Sequence, residues 1–132
     1  MMIRYAIADD ALFVHELIKN IIPDENFMFV GSAINGNEAV ELVKKNLPDL
    51  LFLDYVMPLK NGIDVAREVK VIWPELKIIG ISTIDDQKII SESYKAGVDE
   101  FVEKPFTKDS LFEALKKIGI ETLRTQREVY DK

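Results

Sequence analysis

The sequence predicts an α/β protein with a parallel sheet covered by helices on both faces. Two observations carry this. Leu50-Leu51-Phe52-Leu53 is an unbroken apolar run. It is too short for a helix, and a strand without polar alternation buries both of its faces, as strands of parallel sheets do. Around it, five short runs of this kind alternate with five segments of helical periodicity, the pattern of β-α-β units with right-handed crossovers.

The elements follow in order. Ile3 to Ala8 reads as the first strand and ends on the pair Asp9-Asp10. Val14, Leu17, Ile18 and Ile21 then recur at i, i+3, i+4 and i+7, the stripe of a helix that stops before Pro23, with Asp10 placed to cap its start. Phe27 to Ser32 is the second strand, and Glu38 to Asn46 a helix with Ala39, Val40 and Val43 inward. Leu50 to Asp54 is the third strand. Pro58 cannot continue a ladder and Asn61-Gly62 signals a turn, so Asp54 sits where the chain leaves the sheet. Val65, Ala66, Val69 and Ile72 mark a third helix that ends before Pro74, and Lys77 to Ser82 is the fourth strand. Asp85 to Ala96 has helical length and a Gly97 stop, but a thin apolar face of Ile89, Ile90 and Tyr94. Glu100 to Lys104 is a short charged strand suited to a sheet edge, and Thr107 caps a last helix with Leu111, Leu115 and Ile118 inward. Residues 1–119 thus read as one domain, and the mostly polar 120–132 as an extension of the last helix or a linker.

Composition narrows the function. With 132 residues and 48% hydrophobic content the chain can bury one core. Its 17 cationic and 23 acidic side chains leave a net charge of -6, which offers no electrostatic footing for nucleic acid or an anionic membrane. The absence of cysteine excludes disulfides, thiolate metal sites and cysteine nucleophiles. It also suits a reducing compartment. No apolar stretch approaches the ~18 residues of a membrane span, and no basic-then-apolar leader opens the chain, so the expected address is cytoplasmic.

The chemistry gathers at strand ends. Strand one ends at Asp9-Asp10, strand three at Asp54, strand four at Ser82-Thr83 and strand five at Lys104-Pro105. In a parallel sheet these ends share one edge, where open α/β sheets keep their ligands. Each residue alone has a plainer reading: Asp10 as a helix cap, Ser82 as a turn residue, Lys104 as a solvated charge. Convergence is what points to a site. Three neighbouring carboxylates raise one another's pKa unless a cation sits among them, and oxygen ligands select a hard ion such as Mg²⁺, which also binds phosphate oxygens. A free carboxylate oxygen next to a phosphodonor can form an aspartyl phosphate. Lys104 would neutralise the developing charge and Ser82 would donate a hydrogen bond to the transferred group.

With these residues in these places, the chain resembles the receiver domain of two-component response regulators, a CheY-like family, over residues 3 to about 118. The resemblance rests on Asp9-Asp10, on Asp54 within D-Y-V-M-P-L-K-N-G, on Ser82-Thr83, and on E-K-P-F at 103–106. It implies a flavodoxin-like sheet of strand order 2-1-3-4-5, a fold for which a chemotaxis receiver is a standard illustration. It further implies that Asp54 is the phosphoacceptor and that Asp9, Asp10, Asp54 and the main-chain carbonyl of Val56 hold Mg²⁺. Ser82 and Phe101 would be the switch pair, Lys104 the phosphate-pairing cation, and Lys104-Pro105 a cis peptide. The implied partners are a sensor histidine kinase and an output protein or effector domain. The output surface is that of helix four, strand five and helix five, with dimerisation through helices four and five left open. Such a domain catalyses only its own phosphorylation and dephosphorylation.

Departures from the family pattern matter for tuning. Val56, two residues past Asp54, is apolar where many members carry Asn or Glu, and Thr83 is bulkier than the common Ala or Gly. Both favour a long-lived phosphoryl group. Leu59, Lys60 and Asn61 replace the commoner apolar residue and Asp before Gly62, a change expected to retune the loop only.

Rival readings are weaker. Gly31 to Gly36 has the glycine spacing of a P-loop, but Asn37 stands where that motif needs Lys. His15, the single histidine, lies off the centre of its helix stripe and reads as a surface side chain. A Mg²⁺-dependent phosphohydrolase using Asp54 would need a second Asp at position 56, which is Val. A pseudo-receiver that binds partners without phosphorylation is hard to reconcile with the full set of Asp9, Asp10, Asp54, Ser82 and Lys104.

Overall fold

In the computed structural model, which describes residues 2–120, β1 (Ile3–Ala8), β2 (Phe27–Ala33), β3 (Leu50–Asp54), β4 (Lys77–Ser82) and β5 (Glu100–Glu103) form one parallel sheet of order β2-β1-β3-β4-β5. Five helices connect and follow the strands: α1 (Leu12–Ile21), α2 (Gly36–Asn46), α3 (Gly62–Ile72), α4 (Gln87–Ala96) and α5 (Lys108–Lys117). The flavodoxin-like order expected from the sequence is therefore the observed one. Apart from Ile120, the extension expected over 120–132 lies outside the described residues.

β3 explains the architecture. All five of its residues are buried, and because successive side chains point to opposite faces, they feed two cores. Leu51 and Leu53 join Ala39, Val40 and Val43 of α2 and Val65, Ala66 and Val69 of α3, with Ala96 of α4. Leu50 and Phe52 join Val14 and Ile18 of α1 and Leu111 and Leu115 of α5. Three helices thus cover one face and two the other. The outer strands are less covered: Met28 and Phe29 of β2 are exposed, and β5 buries only Val102.

Helix starts use short polar side chains where the sequence offers them. Asn35 accepts from the Glu38 amide, Asn61 from that of Asp64, and Asp86 from those of Lys88 and Ile89. Thr107 and Ser110 form a reciprocal capping box at α5. The start of α1 corrects the sequence-based expectation. Ala11, not Asp10, is the N-cap residue, and no side chain caps it; the carboxylate that folds back onto this turn is that of Asp9, whose Oδ1 accepts from the Ala11 amide at 2.8 Å.

Two packing expectations also change. α4 buries Ser93 and Ala96, small residues that let it approach the sheet, while Ile89 and Ile90 are half-buried and Tyr94 is exposed. Ile118 lies just past α5 and is half-buried, because the helix ends at Lys117.

The loop between β3 and α3 brings the fold to the site. Gly62 opens α3 against the last peptides of β3: a β-carbon here would sit 2.6 Å from the Asp54 carbonyl oxygen and 2.9 Å from the Tyr55 Cα. Both are backbone atoms that cannot rotate away. Replacing Gly62 by Ala should therefore cost about 1–3 kcal/mol of stability by overpacking. Urea unfolding of the two proteins measures it, and a variant as stable as wild type would show that the strand end can yield.

Candidate functional site

Parallel pairing ends at different residues on each strand, and the side chains just past those ends meet. Asp9 follows β1 and is fully buried; Asp54 ends β3 and is 5% exposed; Asp10 is exposed at the rim. One carboxylate oxygen from each lies within 4.8 Å of the others. Lys104, delivered by the strand next to β4, is fixed by its amide donating to the Ser82 carbonyl at 2.8 Å. Its Nζ lies 2.7 Å from Asp9 Oδ2 and 3.6 Å from Asp54 Oδ1, so one ammonium serves two buried carboxylates. The Lys104-Pro105 peptide is cis.

The remaining predicted residues fall into two places. Ser82 is buried at the end of β4, where its Oγ accepts from the Ile84 amide at 2.9 Å; Thr83 beside it is exposed. Val56 is 56% exposed, and its amide faces Asp54 Oδ1 at 3.4 Å. Phe101 is not part of the acidic pocket. It lies opposite Gly80, two residues before Ser82, with its ring so close that a β-carbon on Gly80 would meet it at 2.9 Å. Tyr94 of α4 packs edge-on against that ring at 5.9 Å, and its hydroxyl donates to Glu100 Oε1 at 3.0 Å.

The loop after β3 carries one strained residue. Leu59 has φ +73° and is 75% exposed, and the Lys60 amide donates to the Pro58 carbonyl at 2.9 Å across it, the geometry of a classic γ-turn. Lys60 is in turn tied to Glu68 of α3, and the Gly36 amide donates to the Pro58 carbonyl. The substitutions before Gly62 thus sit in a loop anchored on both sides.

One residue was misplaced by sequence reasoning. His15 is buried, and its Nε2 lies 2.6 Å from the Asp9 carbonyl oxygen, to which it donates. The spacing of His15 from Ile18 and Ile22, i+3 and i+7, was the available signal. A polar side chain off the centre of a stripe has the pattern of a solvated residue, but here a buried carbonyl at the helix start offers it a partner.

Electrostatics single out Asp54. Burial and the charge of Asp9 push its carboxyl from the ordinary 3.8 up to about 6, against the pull of Lys104 and the Val56 amide, with Asp10 adding a smaller push. These hard oxygen donors carry more negative charge than Lys104 offsets, which suits a small divalent cation.

The response regulator receiver domain model matches residues 6–116. The chain belongs to the receiver domain family of response regulators. Its relatives include chemotaxis protein CheY of Thermotoga maritima, 41% identical over 116 residues that make up 88% of this chain and 97% of that protein. Chemotaxis protein CheY of Bacillus subtilis is 38% identical over 114 residues, 86% of this chain and 95% of that one. A chain of the CheX-CheY-BeF3-Mg²⁺ complex from Borrelia burgdorferi shares the fold with a TM-score of 0.84 over 90% of both chains, at 22% identity. The protein is thus a CheY-like receiver domain of a two-component response regulator, and its acidic pocket fits acceptance of a phosphoryl group with Mg²⁺. Among the described residues, no helix is long and apolar enough to cross a membrane.

The raised value of Asp54 fixes the sign of a pH effect in this receiver without divalent cations. A carboxyl whose folded pKa lies above its unfolded one favours folding fully below the unfolded value, near 4, and loses that contribution as pH rises through about 6. Asp54→Asn removes the titration. The variant should gain on wild type between pH 4 and 6, by up to about 3 kcal/mol at pH 7. Urea unfolding at pH 4, 5, 6 and 7 reads this directly; a gap between the two proteins that stays constant with pH would contradict it.

Proposed function

We propose that Asp54 is the phosphoacceptor of this receiver, taking a phosphoryl group from a sensor histidine kinase or a small phosphodonor. The observation that supports it most is the meeting of three carboxylates within 4.8 Å, with Lys104 Nζ reaching both Asp9 and Asp54. Asp9, Asp10, Asp54 and the Val56 carbonyl would hold Mg²⁺. When bound, Mg²⁺ supplies the positive charge that lets an anionic donor approach anionic side chains. A carboxylate oxygen of Asp54 forms the new P–O bond as the donor's bond to phosphorus breaks, and the leaving group keeps the electron pair. Lys104, already 3.6 Å from Asp54 Oδ1, is placed to neutralise charge on the transferred oxygens, and Ser82 to donate its hydroxyl to one of them. On this reading the domain catalyses only its own phosphorylation and dephosphorylation.

The energy suffices for a switch. Two hydrogen bonds to a phosphoryl group, charge-assisted at least on Lys104, contribute about 1.5–3 kcal/mol each. Inverting a population from 1:99 to 99:1 needs about 5.5 kcal/mol, near the top of their sum. Movement of Ser82 toward the phosphoryl group and of Phe101 on its Gly80 seat would alter the surface of α4, β5 and α5, which an output protein or effector domain reads. A second copy of the chain could use the α4 and α5 surface. The net charge of -6 favours protein partners over nucleic acid or membrane.

Two measurements test the reading. Intact mass after exposure to Mg²⁺ and acetyl phosphate should rise by one phosphoryl group in wild type and not in Asp54→Asn; no gain in a folded wild type would defeat the assignment. Val56, exposed two residues past Asp54, has no group that can hydrogen-bond a hydrolytic water, and Thr83 beside Ser82 is bulkier than the Ala or Gly common there, so the phosphoryl group should be long-lived. Val56→Asn or Val56→Glu should shorten its lifetime severalfold by phosphate release assays, and an unchanged or longer lifetime would count against this.

A further inference from the structure

Every polar atom of Asp9 is engaged. Its amide donates to the Ala33 carbonyl at 3.0 Å, Oδ1 accepts from the Ala11 amide at 2.8 Å, Oδ2 accepts from Lys104 at 2.7 Å, and its carbonyl accepts from His15 at 2.6 Å. Three of these partners come from the main chain or from the recognised site residues. The fourth is a side chain that the phosphoryl chemistry does not use.

Among the described residues, His15 is the one hydrogen-bond donor seen on the Asp9 carbonyl. Asp9 lies one residue past β1, so its carbonyl has left the ladder, and it is fully buried. A buried carbonyl without a donor costs the full desolvation of the group, so the peptide would turn to find one. That same peptide plane sets where the Asp9 carboxylate points. α1 has no side-chain cap at its start; beside the bond from the Ala11 amide to Asp9 Oδ1, His15, one turn inside the helix, ties α1 to the main chain of the strand end.

The ring is committed to that tie. A carbonyl can only accept, so Nε2 carries the hydrogen. Nδ1 is buried and finds no partner among the described residues. A histidine kept for packing alone would not need to leave a ring nitrogen unsatisfied in the core, and Leu or Met would fill the place without that cost.

We infer that His15 is a positioning residue for the acidic pocket: its Nε2–H, bonded to the Asp9 carbonyl, holds the turn from β1 to α1 so that the Asp9 carboxylate is aimed at the cation and Lys104. This rests on the reading of Asp9 as a metal-site acid. It is the same logic by which groups behind a metal ligand fix its orientation, and loss of such a group commonly weakens binding about 10–100-fold.

The experiment uses the full chain in unphosphorylated form, with Mg²⁺ alone as the probe and calorimetric titration as the readout. Four proteins are compared: wild type, His15→Leu, His15→Gln and Ile18→Val, the last a core change on the same helix away from the pocket. His15→Leu should weaken Mg²⁺ binding about tenfold. His15→Gln, whose amide can still donate, should return to within about threefold of wild type, and Ile18→Val should stay within about twofold while lowering Tm. Nitrogen-15 spectra of wild type should show the Nε2–H tautomer, a signature that does not depend on any variant folding. Wild-type affinity in folded His15→Leu, a loss in Ile18→Val matching that in His15→Leu, or the opposite tautomer would each overturn the inference while leaving the phosphoacceptor reading intact. Wild type that binds no Mg²⁺ would remove both.

Discussion

Two buried carboxylates share one ammonium, and the rest of the molecule is arranged so that they can. At a separation near 4 Å, two like charges repel by about 4 kcal/mol at the effective dielectric of a protein surface. That is a large part of the stability of a domain this size. Lys104 is the group that makes the arrangement tolerable, and its place is set by the sheet: the main chain after β5 pairs with the Ser82 carbonyl and so carries the ammonium to Asp9 and Asp54. The compensation is incomplete. Asp54 remains pushed up to about 6, and the residual negative potential is what a divalent cation and a phosphoryl transfer can exploit.

Stability and function are separated in space by the parallel sheet. β1, β3 and β4 spend their middles on the two cores and their carboxyl ends on the pocket, so most of the residues that hold the fold are not those placed at the site. β3 shows both in five residues: Leu50 to Leu53 alternate between the cores and Asp54 ends the strand at the site. Close packing of the adjoining loops carries the rigidity across. Gly62 rests against the last β3 peptide, Gly36 against Lys60, and the γ-turn at Leu59 is held between them.

The side away from the pocket is built differently. α4 approaches the sheet through Ser93 and Ala96, and Phe101 occupies the space that the missing side chain of Gly80 leaves. Tyr94 closes over that ring from outside and is itself exposed. Gly80 and Ser82 lie two residues apart on the same face of β4, so the aromatic pair is only two residues from the hydroxyl at the pocket. A helix anchored by few buried side chains opens at lower free energy than one anchored by many, which is the property a movable surface needs.

The sequence by itself determined the fold class, the strands to within a residue or so, and the gathering of Asp9, Asp10, Asp54 and Lys104 at the strand ends, with Ser82 closing β4. It could do so because these features are local: an apolar run bounded by turn residues states its own length and end, and a parallel sheet turns strand ends into neighbours without further information. What only the tertiary structure decided were relations between elements. Whether Asp10 or Asp9 folds back onto α1, which face of α4 is inward, and where Phe101 rests all depend on the space left by other strands and helices. His15 is the clearest instance. Its periodicity was ambiguous, and its burial follows from a carbonyl that became available only when β1 ended beside the start of α1. Partnership with a main-chain group leaves no mark in the pattern of side chains, so three-dimensional packing was needed to reveal it.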